Sequence, residues 1–228
     1  MLNTYNSYNP PHLPDANIWL NLDPNTIALT GTSVNQWGDN LSGLIFGQSS
    51  AAKKPTYNNT DVSFDGGDYL VEGSNTTYDT DVTGWTAAFR VTSTNWDSSQ
   101  VVVGDDSSNN SFIRVSTSTS LLVKMTNGSG SVNKGIAIDT PSALVDNTYY
   151  NIVIQVATSG NIDVWVDGVL QTSSPTINAA YDLVIDEIGA KNGNTQQLNG
   201  NIQEIIMYNK VLSNTEVSDI FSYLTNKF

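Results

Sequence analysis

The sequence contains no cysteine and only one histidine, His12, among its 228 residues. The absence of thiols excludes disulfide bonds, thiolate metal sites and a cysteine nucleophile. A single imidazole also leaves no histidine pair to hold a zinc ion. The sequence therefore predicts a protein that requires no cofactor and takes its stability from its apolar core.

Positive charge is also scarce, with 9 Lys and Arg against 22 Asp and Glu and a net charge of −13. Nucleic acids and anionic membranes are bound by basic surfaces, so we predict neither as a partner. No apolar run approaches the ~20 residues that cross a bilayer. Residues 1–15 lack the basic and apolar regions of a secretory signal, which predicts synthesis in a cytoplasm without Sec export.

Neutral polar residues replace the missing charge, since Asn, Ser and Thr make up about a third of the chain. These residues compete with helical hydrogen bonding and favour turns and strands. Short runs rich in β-branched and aromatic residues recur between turn clusters, which is typical of a sandwich or barrel. The runs are 85–91, 100–104, 111–116, 121–126, 149–157, 161–171 and 183–188. Within them, Asp167-Gly168 predicts a two-residue hairpin turn.

One helix is expected, at the C-terminus. Ser213 and Glu216 have the spacing of a capping box, and Leu212 with Val217 fits a hydrophobic staple. Apolar residues then recur at helical spacing at 217, 220, 221 and 224. This stripe predicts a helix that lies on the sandwich.

Residues 1–14 differ from the rest of the chain, because they have no apolar periodicity and contain Tyr5, Tyr8, Pro10 and Pro11. Prolines favour an extended backbone even before the segment docks, and tyrosines are amphipathic anchors with few rotatable bonds. We therefore predict two parts, an extended arm at 1–14 and a single domain at 15–228. The arm is expected to dock onto a neighbouring subunit, which implies a homo-oligomer or a larger assembly.

Catalytic patterns are missing. The four glutamates do not form the alternating acidic pattern of sandwich glucanases, and Asp186 and Glu187 are neighbours that should face opposite sides of a strand. Asp105 and Asp106 stand in a Gly/Ser/Asn loop and are interpreted as solvated turn acids. We predict that the protein is not an enzyme.

Among the five tryptophans, Trp19, Trp85 and Trp165 lie in apolar strands and are expected in the core. Trp96 lies in a wholly polar stretch beside Asp97. An exposed indole stacks on a sugar ring, and a nearby carboxylate accepts hydrogen bonds from sugar hydroxyls. Trp96 and Asp97 are therefore the predicted glycan-binding residues, with an indole folded back on its own domain as the open alternative.

Several motifs together resemble the concanavalin A-like lectin/glucanase superfamily, in particular the laminin-G-like jelly rolls found in phage and microbial surface proteins. They are 18–23 (IWLNLD), 34–43 (VNQWGDNLSG), 54–57 (KPTY), 62–66 (VSFDG), 165–168 (WVDG) and 200–216 (GNIQEIIMYNKVLSNTE). The resemblance covers about residues 16–228. It implies an all-β fold, a two-sheet antiparallel jelly-roll sandwich, with the C-terminal helix and the N-terminal arm added to it.

The resemblance also implies a structural Ca²⁺ at the rim of the sandwich, held by Gly66 and Asn201. Because an amide replaces the acid expected at Asn201, one charge is missing and the affinity should be low. The missing signal peptide and cysteines, the acidic neutral-polar surface and the N-terminal arm together predict a non-enzymatic bacteriophage virion protein. It would be a capsid decoration, head fibre or tail component whose lectin-like domain contacts host-surface glycans. The alternative is a free-standing carbohydrate-binding module or adhesin, at the cell surface or exported by a non-Sec route, and a glycoside hydrolase is a third.

Overall fold

The computed structural model describes residues 18–39, 43–106, 111–127, 129–192 and 195–228, with the backbone alone at 18–21, 74 and 75. The predicted arm at 1–14, with Tyr5, Tyr8, Pro10 and Pro11, lies outside these residues. Within the described ranges the chain forms sixteen strands, a short 3-10 turn and one helix. They are β1 Ile18–Thr30, β2 Ser33–Asp39, β3 Ile45–Gly47, the 3-10 turn Ala51–Lys53, β4 Thr56–Tyr57, β5 Val62–Asp65, β6 Leu70–Tyr78, β7 Trp85–Ser93, β8 Gln100–Gly104, β9 Phe112–Thr117, β10 Ser120–Thr126, β11 Ser131–Ala137, β12 Tyr150–Val156, β13 Ile162–Val166, β14 Val169–Leu170, β15 Leu183–Ile188, β16 Asn199–Tyr208 and α1 Asn214–Lys227.

The strands form the two layers of an antiparallel jelly roll, as the sequence predicted. One layer runs in the order β11-β10-β9-β8-β15-β6, and the other runs β5-β16-β7-β12-β13-β14. Strands β3, β2 and β4 connect the two layers, and β1 pairs with both β16 and β2. The strand runs read from the sequence all fall on these strands. The fold class is therefore confirmed.

The core lies between the layers and follows the two-residue period of each strand. In β7, Trp85, Phe89 and Val91 point inward and are buried, whereas Arg90 between them is only partly buried. In the opposite layer, Val115 of β9 is buried between Arg114 and Ser116, which are only partly buried. Side chains from both layers belong to one continuous cluster of buried residues. A chain without disulfides is thus held together by a core whose members run from Leu22 to Met207.

Helix α1 covers the outer face of the β7–β12–β16 layer. Ser213 is its N-cap, and the reciprocal capping box with Glu216 is present. Val217, Ile220 and Leu224 are buried against that face, where Trp165 and Tyr208 also lie. The predicted helix, cap and position of Trp165 are confirmed. No helix in the described ranges is long and apolar enough to cross a membrane.

The Asp167-Gly168 turn connects β13 and β14 directly. Val166 pairs with Val169, which leaves two residues in the loop. Asp167 has a φ of 47° and Gly168 a φ of 83°, the positive values that a type I′ turn requires. The hairpin predicted from this dipeptide is confirmed.

Candidate functional site

Trp96 is buried, so the prediction that it stacks on a sugar is wrong. Its exposed fraction is 0%, and its ring meets that of Tyr150 edge to face at 6.2 Å between centroids. The indole Nε1 donates to the carbonyl oxygen of Val145 at 3.0 Å, and the Trp96 peptide N–H donates to Asp146. The polar sequence around Trp96 was misleading because the segment that covers it lies about fifty residues further along the chain.

Asp97 stays at the surface, but without the indole beside it. Its Oδ1 accepts a hydrogen bond from the peptide N–H of Ser118 at 3.0 Å. The contact with Ser118 holds the pKa of Asp97 below its usual value. Asp97 therefore fastens one loop to another in the structure, and it forms no joint site with Trp96.

The predicted calcium ligands Gly66 and Asn201 do not lie opposite each other where β5 pairs with β16. Asn201 pairs with Ser63, and the residue paired with Asp65, next to Gly66, is Asn199. The Nδ2 of Asn201 donates to the hydroxyl of Tyr149 at 3.2 Å. Gly66 has a φ of 88°, the left-handed conformation that favours glycine, which accounts for the glycine without a metal. Ca²⁺ binding by this pair stays a prediction.

Two adjacent carboxylates that follow β8 meet a third, from the middle of β15, which is some 80 residues further along the chain. The oxygens of Asp105, Asp106 and Asp186 all lie within 4.8 Å of one another. Asp105 and Asp186 are buried and Asp106 is exposed, so the interpretation of Asp105 as a solvated turn acid is wrong. Burial raises the pKa of Asp186 to about 8, and the neighbouring carboxylates of Asp106 and Asp105 add to the rise.

This acidic trio is the carboxylate arrangement in the described ranges that could hold a divalent cation. A protonated carboxyl group is a poor metal ligand, because ligation requires the ionised form. With the raised pKa of Asp186, the trio carries less charge at neutral pH than its composition suggests. Any cation held by the trio at neutral pH would therefore have to compete with the proton on Asp186.

A shallow cleft of about 270 Å³ opens where the turn in β1, the loop after β4 and the C-terminal residues meet. Tyr57 and Phe228 supply two aromatic rings, and Asn25 and Asn59 supply amides. The adjacent Asp23 and Lys227 are already paired with each other at 2.5 Å. The cleft therefore combines two aromatic rings and two amides with an ion pair at its wall.

The cationic cluster, defined as Arg114, Lys124 and Lys191, lies on the outer face of the layer that α1 does not cover. All three cations surround the ring of Phe112, at 5.2 Å for Arg114, 5.9 Å for Lys124 and 4.9 Å for Lys191. Cations are attracted to the face of an aromatic ring. Their aliphatic stems cover Phe112, which is only 4% exposed although it points away from the core.

Strand register explains how the cluster forms. Phe112 pairs with Lys124 on β10, and Arg114 is on the same face of β9 two residues further. On the other side, Phe112 pairs with Gly104 of β8. A Cβ on Gly104 would lie 2.8 Å from the Cβ of Lys191 and 2.4 Å from the carbonyl oxygen of residue 190. Because Gly104 has no Cβ, residues 190 and 191 can pack directly against its backbone.

The cations of the cluster have both neutral and charged neighbours. The Nε of Arg114 donates to Ser116 and its Nη1 donates to Gln196 at 2.6 Å, both neutral partners. Desolvation lowers the pKa of Lys191, and repulsion from Lys124 and Arg114 lowers it further, whereas the carboxylate of Glu187 raises it. In a chain with nine cations and a net charge of −13, three cations meet at one place.

Sequence reasoning missed both the acidic trio and the cationic cluster. The spacing of Phe112 and Arg114 on one strand, with Lys124 on the next, is a local hairpin signal that could have indicated part of the cluster. No local signal marks Lys191, because β15 reaches β8 only after the chain has crossed the sandwich.

The comparisons with known proteins agree with the geometry. One family model, that of the concanavalin A-like lectin/glucanases superfamily, matches residues 64–218. No curated protein matches the chain.

Three solved structures illustrate the structural likeness. A mutant of Trypanosoma rangeli sialidase displaying trans-sialidase activity has a TM-score of 0.63 and 14% identity, covering 93% of this chain and 34% of its own. The binding domain of Paraclostridial Mosquitocidal Protein 1 has a TM-score of 0.60 and 14% identity, covering 90% of this chain and 52% of its own. The Ruminococcus gnavus IT-sialidase CBM40 bound to α2,3 sialyllactose has a TM-score of 0.50 and 13% identity, covering 72% of this chain and 96% of its own. The chain spans about a third of the length of the sialidases, and at these identities the likeness concerns the fold.

Proposed function

We propose that this chain, which belongs to the concanavalin A-like lectin/glucanases superfamily, acts as a non-enzymatic carbohydrate-binding module. The observation that carries the proposal is the cationic cluster on the outer sheet face. Arg114, Lys124 and Lys191 are partly exposed and converge on one aromatic ring. Polar donors held on rigid strands are what a sugar-binding surface requires, because sugars are recognised through fixed hydrogen bonds.

The fold leaves this face available while it closes the opposite one. Helix α1 packs its apolar stripe on β12 and β16, where Val153 and Ile206 lie beneath it. A flat sheet face that carries long polar side chains can accept an extended chain of sugar residues. The solved structure of a carbohydrate-binding module with this fold, bound to sialyllactose, supports the proposal.

The direct test is titration calorimetry of the full chain against a panel of neutral and acidic oligosaccharides. We expect one class to bind, and we expect the Arg114→Ala/Lys191→Ala double variant to weaken that binding about tenfold or more, because each charge-assisted hydrogen bond contributes ~1.5–3 kcal/mol. Lys134→Ala is the matched control, since Lys134 pairs with the core residue Val123 on the same layer and lies outside the cluster.

The same titration separates the cationic cluster from the cleft at the C-terminus. If Tyr57→Ala abolished binding and the double variant did not, the sugar site would be the cleft. If no oligosaccharide of the panel bound, the proposal of a carbohydrate-binding module would be wrong.

The absence of catalysis is part of the proposal. Asp106 and Asp186 have the proximity of a glycosidase pair, and the pKa of Asp186 is raised. However, Asp186 is only 3% exposed, so a glycosidic bond would not reach it without rearrangement. We expect no release of reducing sugar from β-glucans or bacterial polysaccharides. Turnover abolished by Asp186→Asn or Glu187→Gln would contradict this.

The virion role stays a prediction of the sequence, with the arm at 1–14 as its assembly element. Deleting residues 1–14 should leave a folded domain that no longer joins a particle or an oligomer. Recovery of the protein as a free chain, with normal behaviour of the truncated form, would favour the free-standing module or adhesin instead.

A further inference from the structure

We propose that the cleft at the C-terminus is a carbohydrate site of its own, separate from the cationic cluster, and that it takes a neutral sugar. The inference rests on the proposed function only in that the chain binds carbohydrate, and it adds a site and a ligand class. The cleft lies where β1 and β4 pair beside β16 and β5, whereas the cluster lies on β9 and β10.

The loop after β4, which forms one wall of the cleft, is fixed by its own hydrogen bonds. The side-chain oxygen of Asn58 accepts from the peptide N–H groups of Thr60 and Asp61. Asp61 is only 4% exposed and accepts a hydrogen bond from the hydroxyl of Tyr149. Asn59 is exposed and has a φ of 80°, a left-handed conformation that asparagine tolerates. The loop therefore presents the amide of Asn59 to the cleft from a fixed backbone.

The opposite wall is fixed as well. The Oδ1 of Asp23 accepts hydrogen bonds from the peptide N–H and the side-chain Nδ2 of Asn25, each at 2.7 Å. Lys227 donates to Asp23 at 2.5 Å, to the buried Glu204 at 2.7 Å and to the hydroxyl of Tyr223 at 2.7 Å. Because both walls are ordered before a ligand arrives, binding costs little conformational entropy of the protein.

The charges at the cleft favour a neutral ligand. Lys227 faces two carboxylates, those of Asp23 and Glu204, and the whole chain has a net charge of −13, so an anionic ligand would be repelled. A cationic ligand is disfavoured too, because the ring of Phe228 already faces Arg90 at 5.9 Å and Lys227 at 5.3 Å. A ligand with hydroxyl groups in place of charges avoids both costs.

A sugar matches the groups that line the cleft. Phe228 is 37% exposed and Tyr57 is partly exposed, which offers aromatic surface to the C–H face of a sugar ring. The amides of Asn25 and Asn59 and the hydroxyl of Thr60 contain both donors and acceptors, as the hydroxyl groups of a sugar do. Apolar rings with a few fixed polar groups are the usual composition of a small-molecule site.

The test separates the cleft from the cluster. Calorimetry of the full chain with lactose, maltotriose and cellotriose is expected to detect binding of at least one neutral probe, with equal affinity in the Arg114→Ala/Lys191→Ala double variant. Added to that double variant, Asn59→Gly and Phe228→Ala should each weaken the binding about three- to tenfold, since a hydrogen bond or an aromatic contact is lost. Glycine suits the positive φ of Asn59, so this change does not strain the backbone.

The matched control for Asn59→Gly is Asn147→Gly. Asn147 is also exposed, has a φ of 59° and does not line the cleft. Its replacement should leave the affinity for the neutral probe unchanged. The thermal unfolding of each variant shows whether it is folded.

Two results would overturn the inference and leave the proposed function standing. One is binding of a neutral probe that neither Asn59→Gly nor Phe228→Ala weakens, which would place the sugar outside the cleft. The other is binding of acidic oligosaccharides alone. Binding of a neutral probe that survives in the double variant and is weakened by Asn59→Gly would support the cleft, even if the cluster bound no sugar. If no oligosaccharide bound at all, the inference would fail together with the proposed function.

Discussion

The indole Nε1 of Trp96 donates a hydrogen bond to the carbonyl oxygen of Val145, 3.0 Å away and 49 residues along the chain. The peptide N–H of Val145 in turn donates to the hydroxyl of Tyr150, whose ring contacts Trp96. The three residues therefore form a closed arrangement that covers one end of the core.

Truncating Trp96 should destabilise the domain. We expect Trp96→Ala to lower the free energy of unfolding by about 3–5 kcal/mol, the usual cost of removing a buried aromatic side chain. Urea unfolding measures this, and Asp97→Ala is the control, which should cost under ~1 kcal/mol because Asp97 is exposed. A variant of unchanged stability that had lost glycan binding would restore Trp96 as a ligand residue.

Removing the ammonium group of Lys227 should destabilise the fold, because this group faces the buried carboxylate of Glu204. Its Nζ lies 2.7 Å from Glu204, whose side chain is 0% exposed, and burial raises the pKa of Glu204 while Lys227 lowers it. Lys227→Met should therefore cost about 3–5 kcal/mol of unfolding free energy, since it leaves a buried carboxylate without its cation.

The matched control for Lys227 is the ion pair at the other end of the same helix. Lys210 and Glu216 lie 2.5 Å apart, and both side chains are more than a quarter exposed. Lys210→Met should cost at most ~1 kcal/mol, as partly exposed pairs do. Equal losses for Lys227→Met and Lys210→Met would show that the burial of Glu204 does not set the cost.

Stability should depend on pH through Asp186. Its pKa is raised by burial to about 8 in the folded state, against an ordinary value of 3.8. Between these values the folded state binds the proton more tightly than the unfolded chain, so this contribution to stability is present at low pH and is lost as the pH rises towards 8.

Asp186→Asn removes the titration and keeps the shape. Relative to this variant, the wild-type melting temperature should fall by at least about 3 °C between pH 5 and pH 8, which is roughly 1 kcal/mol at this chain length. A constant difference across the range would mean that Asp186 is ionised throughout, and that the trio is not proton-linked.

Removing divalent metal should change the melting temperature only slightly at neutral pH. The Gly66 and Asn201 pair lacks a carboxylate, and Asp186 in the acidic trio is largely protonated at pH 7. We expect EDTA to move the melting temperature by less than about 5 °C, or roughly 1–2 kcal/mol at this size. A larger shift that disappeared in Asp106→Asn would locate a metal in the trio, and one that persisted there would favour the Gly66 site.

The composition and the local patterns were sufficient to predict a sandwich or barrel, because strand period, turn residues and helix caps act over a few neighbouring residues. The family resemblance narrowed this prediction to a jelly roll. The capping box of Ser213 and Glu216 and the positive φ values of Asp167 and Gly168 appear in the structure as the sequence predicts. Each depends on the chemistry of two to four adjacent residues, so no distant contact was needed to foresee it.

The sequence by itself thus determined the strand content, the C-terminal helix, the hairpin turn and the family. Only the tertiary structure decided which side chains are accessible. Trp96 has polar neighbours along the chain yet lies in the core, and Asp105 stands in a polar loop yet is buried. The clusters around Phe112 and Asp186 join residues from different strands, since antiparallel pairing across the sandwich brings together positions more than 70 residues apart. Burial and electrostatic repulsion depend on that pairing, which is why the local sequence did not reveal them.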